Sequence, residues 1–326
     1  MPRKPRAAAK PRLSSRELAS HSPRTDKSKN IEQQYSTRQL GEQSVPRLAA
    51  TGPLPELPAV YQIDSGTASL QIDQDRGVTL YVNDAPSSFI NIPDPRFLVF
   101  EYMQQMDQIV GNLKPGAIKA LHLGAGACAL AWAWSIERPG SRQLAVDIDA
   151  QLVSLARQWF DLPRAPALRI RAQDAWETIS QTHPNTYDVI VRDVFSGDQT
   201  PENLTTTAFD TAIHAGLKTD GIYLANCADK PPLTKARKEL GNLIEIFGKS
   251  QVGLCSERTI LTGKRYGNVV LVARKTSPDN DDTQNVKPLS LDNPTLARAL
   301  RSLPVPAAIL AGAGLDSFIQ GRRLVM

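Results

Sequence analysis

Cysteine and histidine are scarce in this chain. Three cysteines, Cys128, Cys227 and Cys255, are spread over 326 residues in no metal-binding or redox spacing. So sparse and odd a count points to a reducing cytoplasm. The four histidines, His21, His122, His183 and His214, are scattered, which argues against a His-rich metal site, and no metal is expected. Long apolar runs are missing as well. Residues 117–136 come nearest, but Lys119, His122 and a glycine turn interrupt them. They read as a buried strand and helix, not a membrane span. The first residues lack the apolar core of a secretory signal. A cytoplasmic location and no membrane partner are therefore expected. There is no internal repeat. A complete G-x-G-x-x-G is absent too, which weakens any dinucleotide reading.

What remains is the composition of an ordinary soluble protein, 41% hydrophobic and 22% charged, long enough for a large core. The net charge of +5 is unevenly placed. Residues 1–50 hold 11 Lys/Arg against four Asp/Glu, an excess of seven, so the rest of the chain is −2. Residues 1–56 are rich in Arg, Lys, Ser, Pro and Ala, with little to bury. They are expected to be a disordered, solvated tail. Weak contact of this tail with nucleic acid or an acidic partner is the sharper alternative. No other nucleic-acid contact is expected.

Residues 57–95 read as a small β-domain. Short alternating segments are parted by Asp64-Ser65-Gly66 and Asp75-Arg76-Gly77, the punctuation of a hairpin or meander. After Pro93-Asp94-Pro95, residues 96–111 carry apolars at helical spacing, with Asp94 as a candidate cap. From there to 275, strands are expected at 118–123, 143–147, 168–171, 187–192, 220–226, 250–256 and 267–274. Helices are expected at 127–137, 150–159, 174–181, 205–217 and 232–247. Such alternation implies an α/β fold with a doubly wound, mostly parallel, Rossmann-like sheet of seven strands. Residues 276–326 read as a polar linker (276–288), a short helix capped by Asn293, and a glycine-broken apolar end.

Parallel sheets bind ligands beyond the C-terminal ends of their strands. Gly124, Ala125 and Gly126 form a turn there that lets backbone approach a nucleoside closely. Asp147, followed by Ile148, closes the second strand and is placed to hold ribose hydroxyls. Asp149 reads as a helix cap. Asp174 and Ala175 follow the third strand, where a carboxylate and a neighbouring N–H suit adenine. Asp193 ends the fourth strand at the reacting end of the ligand. Loop 194–204, with Asp198, is long enough to cover the site. His122 and the pair Trp132 and Trp134 read as packing residues. Arg265 and Tyr266, before the last strand, are candidates for lining the pocket.

This order of features resembles the class I S-adenosylmethionine-dependent fold, and more closely the spermidine synthase family of aminopropyltransferases, over roughly residues 57–275. The best match is YDVIVRDVFSGDQTP, residues 187–201. Family members carry D-x-x-D-P-x-G-P after the strand, and its first Asp is the general base. Asp193 stands there, at the family's distance from Tyr187-Asp188. Asp147 matches the ribose-binding acid and Asp174 the adenine-binding Asp. LYVNDAPSS, residues 80–88, resembles the family's N-terminal strand and substrate loop.

The resemblance implies aminopropyl transfer from decarboxylated S-adenosylmethionine to a small-molecule amine, with Asp193 as base, in a homodimer. S-adenosylmethionine-dependent methyl transfer to a small molecule is the alternative. A non-catalytic nucleoside-binding protein is the second. Departures from the family pattern are local. Ala127 replaces the Asp that binds the donor amine, and Cys128 a glycine. Ser87 stands for a polyamine-contacting Gln. The D-E-x-x-Y-H-E segment survives only as Asp94, with Pro95, Leu98, Val99 and Phe100 at its other positions.

Overall fold

The computed structural model describes residues 60–73, 77–197, 199–276, 291 and 293–320. The tail expected at 1–56 and all but the first residue of the linker expected at 276–288 lie outside the described residues.

The described residues begin with an antiparallel meander, β1 (Val60–Ile63), β2 (Gly66–Ile72), β3 (Gly77–Val82) and β4 (Ala85–Asn91), in spatial order 1-2-3-4. Helix α1 (Glu101–Leu113) leads to the main sheet. Its strands are β5 (Lys119–Leu123), β6 (Arg142–Asp147), β7 (Leu168–Ala172), β8 (Tyr187–Arg192), β9 (Leu217–Asp229), β10 (Val252–Glu257), β11 (Gly267–Arg274) and β12 (Ala307–Leu310). Their order is β12-β10-β11-β9-β8-β5-β6-β7. The stretch from β9 to β7 is parallel, while β11, β10 and β12 add on antiparallel. The helices between them are α2 (Ala129–Glu137), α3 (Ala150–Trp159), α4 (Ala175–Ser180), α5 (Thr207–Gly216), α6 (Thr234–Phe247) and α7 (Arg258–Leu261). Helices α8 (Pro294–Arg301) and α9 (Ala313–Ile319) follow β11 and β12.

Strand alternation sends neighbouring residues to opposite cores. Ala120, Val189, Val191, Val270 and Val272 pack with α1, α2, α8 and the meander, through Met106, Trp134, Leu300 and Leu80. Leu121, Leu123, Ile190 and Leu271 pack with α5, α6 and α9, through Phe209, Leu240 and Phe318. Each valine, leucine, isoleucine, methionine or phenylalanine among them contributes about 1.5–3 kcal/mol when taken out of water. From β11 to β6 the sheet is thus covered on both faces, as apolar strands require, whereas the edge strand β7, LRIRA, is buried only at Leu168 and half-buried at Ile170. Among the described residues, no helix is long and apolar enough to cross a membrane.

The seven expected strands are all present, and β12 adds an eighth at the β10 edge. The C-terminal stretch read as a mere extension therefore completes the sheet. Four helices begin two or more residues later than their periodicity predicts: α1, α2, α5 (Thr207, not 205) and α6 (Thr234, not 232). Helix α1 starts at Glu101, not residue 96, because Asp94 and Arg96 close a local turn in which Phe97 N–H donates to the Asp94 carbonyl at 2.9 Å. Asp94 does not cap the helix; its carboxylate accepts from Arg96 Nε at 2.8 Å. Helix α2 starts at Ala129, not 127, because Cys128 is left-handed at φ 60°. The Ala127 N–H donates to Ser88 Oγ instead of facing a ligand.

The meander is fastened where it meets α3. Asp149 caps α3 by accepting from Leu152 N, and its other oxygen accepts from Ser65 N and Oγ at 2.8 and 2.6 Å. Asp64 in turn accepts from Ala150 N. Each turn carboxylate meets free N–H groups of the first helical turn.

Candidate active site

The strand order fixes a switch point. The chain leaves β5 toward β6 and β7 on one side, then returns to β8 and β9 on the other. The crevice at the C-terminal ends of β5 and β8 is where such sheets take ligands. Gly124 and Asp193 face one another across it. A Cβ on Gly124 would lie 2.2 Å from the Asp193 carbonyl oxygen, and Gly124 has φ +90°. Only glycine allows this approach without strain. Asp193 N–H donates to Leu123 O at 2.8 Å, which pins the end of β8 to β5.

Asp193 is half-buried, with both carboxylate oxygens engaged. Tyr102 Oη donates to Oδ2 at 2.7 Å and Asn226 Nδ2 donates to Oδ1 at 2.9 Å. Burial holds the carboxyl above the usual carboxylate range, and the Asn226 and Tyr102 hydrogen bonds and the Arg192 charge offset part of that rise. A raised carboxyl that still has donors for its ionised form suits a proton acceptor. Burial, then the neighbouring Asp193 charge, pushes the Tyr102 phenol far above its ordinary range, so it stays a donor. Neither Tyr102 nor Asn226 stands out in the sequence. Their only signals are a tyrosine on the apolar face of a helix and an asparagine inside the apolar strand YLANCA, polar groups that need partners once buried.

Asp147 ends β6 beside the turn. Its Oδ2 accepts from Ala125 N at 3.1 Å and Gly126 N at 3.0 Å, and Oδ1 accepts from Asp149 N at 3.1 Å. Burial raises its pKa, opposed by those N–H groups. A carboxylate offers about four lone-pair directions, so this anchor of the turn keeps acceptor capacity for a ligand. Ile148 beside it is 69% exposed, one of few large apolar side chains left in water. Ser87 and Ser88 of β4 press on the turn; a Cβ on Gly126 would meet Ser88 Oγ at 2.6 Å and Ser87 Oγ at 3.7 Å.

Asp174 follows β7 and caps α4, accepting from Glu177 N at 2.8 Å, with Ala175 buried behind it. Thus Asn226, Asp193, the glycine turn, Asp147 and Asp174 line five adjacent strand ends. From Asp193 to Asp174 is three strand spacings, about 14 Å.

Other expected residues stand apart from this line. Asp94 is held by Arg96, which keeps its carboxyl below the usual range against the effect of burial. Tyr266, 42% exposed, precedes β11 at the same sheet edge but shares no hydrogen bond with Asp193. Arg265 beside it pairs with Glu257. Asp198 lies outside the described residues. His122 is a core histidine, bonded to Gln143 at 2.9 Å and lowered by burial to about 4. Burial pushes the Cys128 thiol up to about 12 and raises Cys227 and Cys255 as well, so none is a ready nucleophile. Among the described residues, no group of three His, Cys, Asp or Glu is placed to hold a metal ion.

Beneath Asp193 lies a buried ionic cluster. Arg192 donates to Glu239 Oε2 at 2.6 Å, to Leu204 O at 2.7 Å and to Asn226 O at 3.2 Å. One guanidinium therefore ties α6, the far end of loop 194–204 and β9 to the residue preceding Asp193.

No family model matches the chain. A polyamine aminopropyltransferase of Neisseria meningitidis is 29% identical over 210 residues, 63% of this chain and 74% of that protein. A spermidine synthase solved with the transition-state analogue AdoDATO has 18% identity over 70% of this chain and 78% of its own, with a TM-score of 0.51, a likeness of fold. The crystal structure of a probable spermidine synthase from Corynebacterium glutamicum is 32% identical, covering 83% of this chain and 96% of that one, with a TM-score of 0.71. Identity of 32% sustained over 96% of that protein makes this chain a member of the spermidine synthase family of transferases.

Proposed function

We propose that the protein transfers an aminopropyl group from decarboxylated S-adenosylmethionine to a small-molecule amine. The observation that carries this reading is Asp193, a half-buried carboxylate at the switch point, held by Tyr102 and Asn226. The donor nucleoside would extend along the strand ends. Its adenine would lie between Asp174 and Ile148, its ribose on Asp147, and its sulfonium beside Gly124 and Asp193. Asp193 orients the acceptor and takes its proton. The amine nitrogen forms a bond to the carbon attached to sulfur, the carbon–sulfur bond breaks, and its electron pair leaves with methylthioadenosine. Closeness and alignment of these partners supply much of the rate, and the base keeps the nitrogen nucleophilic.

The test is incubation with decarboxylated S-adenosylmethionine and putrescine, then with a panel of other amines. Methylthioadenosine and an aminopropylated product are expected, and Asp193→Asn should abolish turnover while donor binding survives. If no amine in the panel yields methylthioadenosine, the reading fails.

One observation favours methyl transfer as a second reading. Ala127 is wholly buried with its N–H on Ser88, so that position offers no carboxylate to a donor amine. Calorimetry separates the two: tighter binding of S-adenosylmethionine than of its decarboxylated form supports methyl transfer, and the opposite order supports aminopropyl transfer.

A further inference from the structure

Away from the crevice, four cations share one face of the sheet. In the parallel register Lys119 lies opposite Arg142, Leu144 opposite Arg169 and Val146 opposite Arg171. Leu121 and Leu123 in turn lie opposite Leu144 and Val146. Paired residues project to the same side, so all four cations stand on the face that carries Leu121, Leu123 and Val146. Helix α4, six residues long, packs against β6 at this corner. It leaves a groove of about 370 Å³ lined by Lys119, Arg142, Leu144, Arg169, Arg171 and Tyr187.

No acidic side chain lines the groove. Among the described residues, none of these four cations belongs to an ion pair, whereas Arg96, Arg192, Lys218, Lys249, Arg265 and Arg274 each do. Like charges directly opposite on paired strands repel. Charge on an edge strand protects it from pairing with other chains, and that accounts for Arg169 and Arg171 on β7. It does not account for Lys119 and Arg142, which oppose each other on the interior strands β5 and β6. Lys119 is also steadied over the Tyr187 ring, 5.4 Å from its centroid.

We propose that this groove binds a compact oligophosphate, as found in a nucleoside di- or triphosphate, at a site separate from the crevice. Three guanidinium groups offer paired N–H donors to phosphate oxygens, and an ammonium adds a point charge. The groove is of the size that takes a small molecule, too short to serve as a track for a nucleic-acid strand. A neighbouring hollow of about 480 Å³ shares Arg169 and Arg171 and adds Arg164. There, however, Asp161 lines the wall and Arg157 is spent on the carbonyl oxygens of Leu162, Pro163 and Leu168. The acid-free groove is the better phosphate site. Lys119, Arg142 and Arg169 sit at the N-terminal ends of β5, β6 and β7, whereas Asp193 and Asp147 stand at the C-terminal ends of β8 and β6, which sets the groove apart from the reacting end of the crevice; Arg171, opposite Val146, is the one groove cation toward the C-terminal side.

The experiment titrates the full chain with sodium tripolyphosphate and with ATP by calorimetry, in the presence and absence of saturating methylthioadenosine. Saturable binding of both probes, undisturbed by methylthioadenosine, is expected. The double variant Arg142→Gln/Arg169→Gln should weaken both at least tenfold while its thermal midpoint and its donor binding stay those of wild type. Three results would overturn the proposal. One is no binding of either probe. Another is equal binding by the double variant, which would put the phosphate elsewhere, on the basic tail for instance. The third is tighter binding of a single-stranded oligonucleotide or an acidic peptide than of tripolyphosphate, lost in the same variant.

Discussion

Tyr102 and Asp193 are 91 positions apart and are joined by a 2.7 Å hydrogen bond from the phenol to Oδ2. That bond stabilises the ionised carboxylate and lowers its pKa against the rise that burial causes. Tyr102→Phe leaves Asn226 as the remaining side-chain donor to Asp193. The carboxyl then titrates at higher pH, and less of it is ionised at a given acidic pH. The acid limb of kcat/KM against pH is expected to move upward. At its plateau kcat should fall about tenfold, the size of one hydrogen bond to a charged group. An unmoved acid limb would show that Asp193 is not the group titrating.

Gly124 lies so close to Asp193 that a methyl group cannot enter. With a Cβ 2.2 Å from the Asp193 carbonyl oxygen and φ at +90°, Gly124→Ala must force β5 and β8 apart at their ends. Gly116 serves as control, since it shares the left-handed backbone at φ +86° but has nothing within 4 Å of its Cβ. Gly116→Ala should cost about 1–2 kcal/mol from backbone strain alone. Gly124→Ala should cost more than that by about 1–3 kcal/mol of overpacking, and should lose nucleoside binding as Gly116→Ala does not. Urea denaturation and donor titration of the two variants check both parts.

Much of this site is legible in the sequence because it is local. A strand, a glycine turn and a helix follow one another within 117–137, and Asp147, Asp174 and Asp193 each close a strand whose apolar residues announce it. The residues that hold Asp193 are not legible in that way. Tyr102 comes from a helix before the sheet and Asn226 from the following strand, and only the folded order of β5, β8 and β9 brings them to one carboxylate. Helix starts fail for a related reason. Periodicity sees the apolar face from residue 96 and from 127 onward, but it does not see the Asp94–Arg96 turn or the Ser88 hydroxyl that claims the Ala127 N–H. Strand β12 hides because four residues, AAIL, are too few to declare a strand without the β10 edge that receives them.

Arg192 and Glu239 bear on stability more than on chemistry. Their side chains are 1% and 9% exposed and meet at 2.6 Å. Taking one charge away strands the other without water, which costs about 3–5 kcal/mol, whereas replacing both by apolar groups of similar volume is far milder. Glu239→Leu alone is expected to lower the unfolding free energy by an amount in that range. The double variant Arg192→Met/Glu239→Leu should recover most of it. Denaturant unfolding of the two single variants and the double variant gives the coupling. Additive losses would mean that the pair acts as two independent side chains.

Asp210 gives the chain a pH dependence whose sign can be worked out. It lies on α5, 4% exposed, near Arg192 and Glu239. Burial lifts its carboxyl to about 7; the Arg192 charge opposes this and the Glu239 charge adds to it. In the unfolded chain the same group titrates near its ordinary value of about 3.9. The folded state therefore holds the proton more tightly. Its contribution is fully present below about pH 4 and is lost progressively as pH rises toward about 7. Asparagine has the same shape and no proton to lose. Relative to wild type, Asp210→Asn should gain stability between pH 4 and pH 8, seen as a thermal-midpoint difference that grows more positive with pH. A difference that stays flat over that interval would place the Asp210 carboxylate in a hydrated or charge-compensated setting, contrary to its burial beside Glu239.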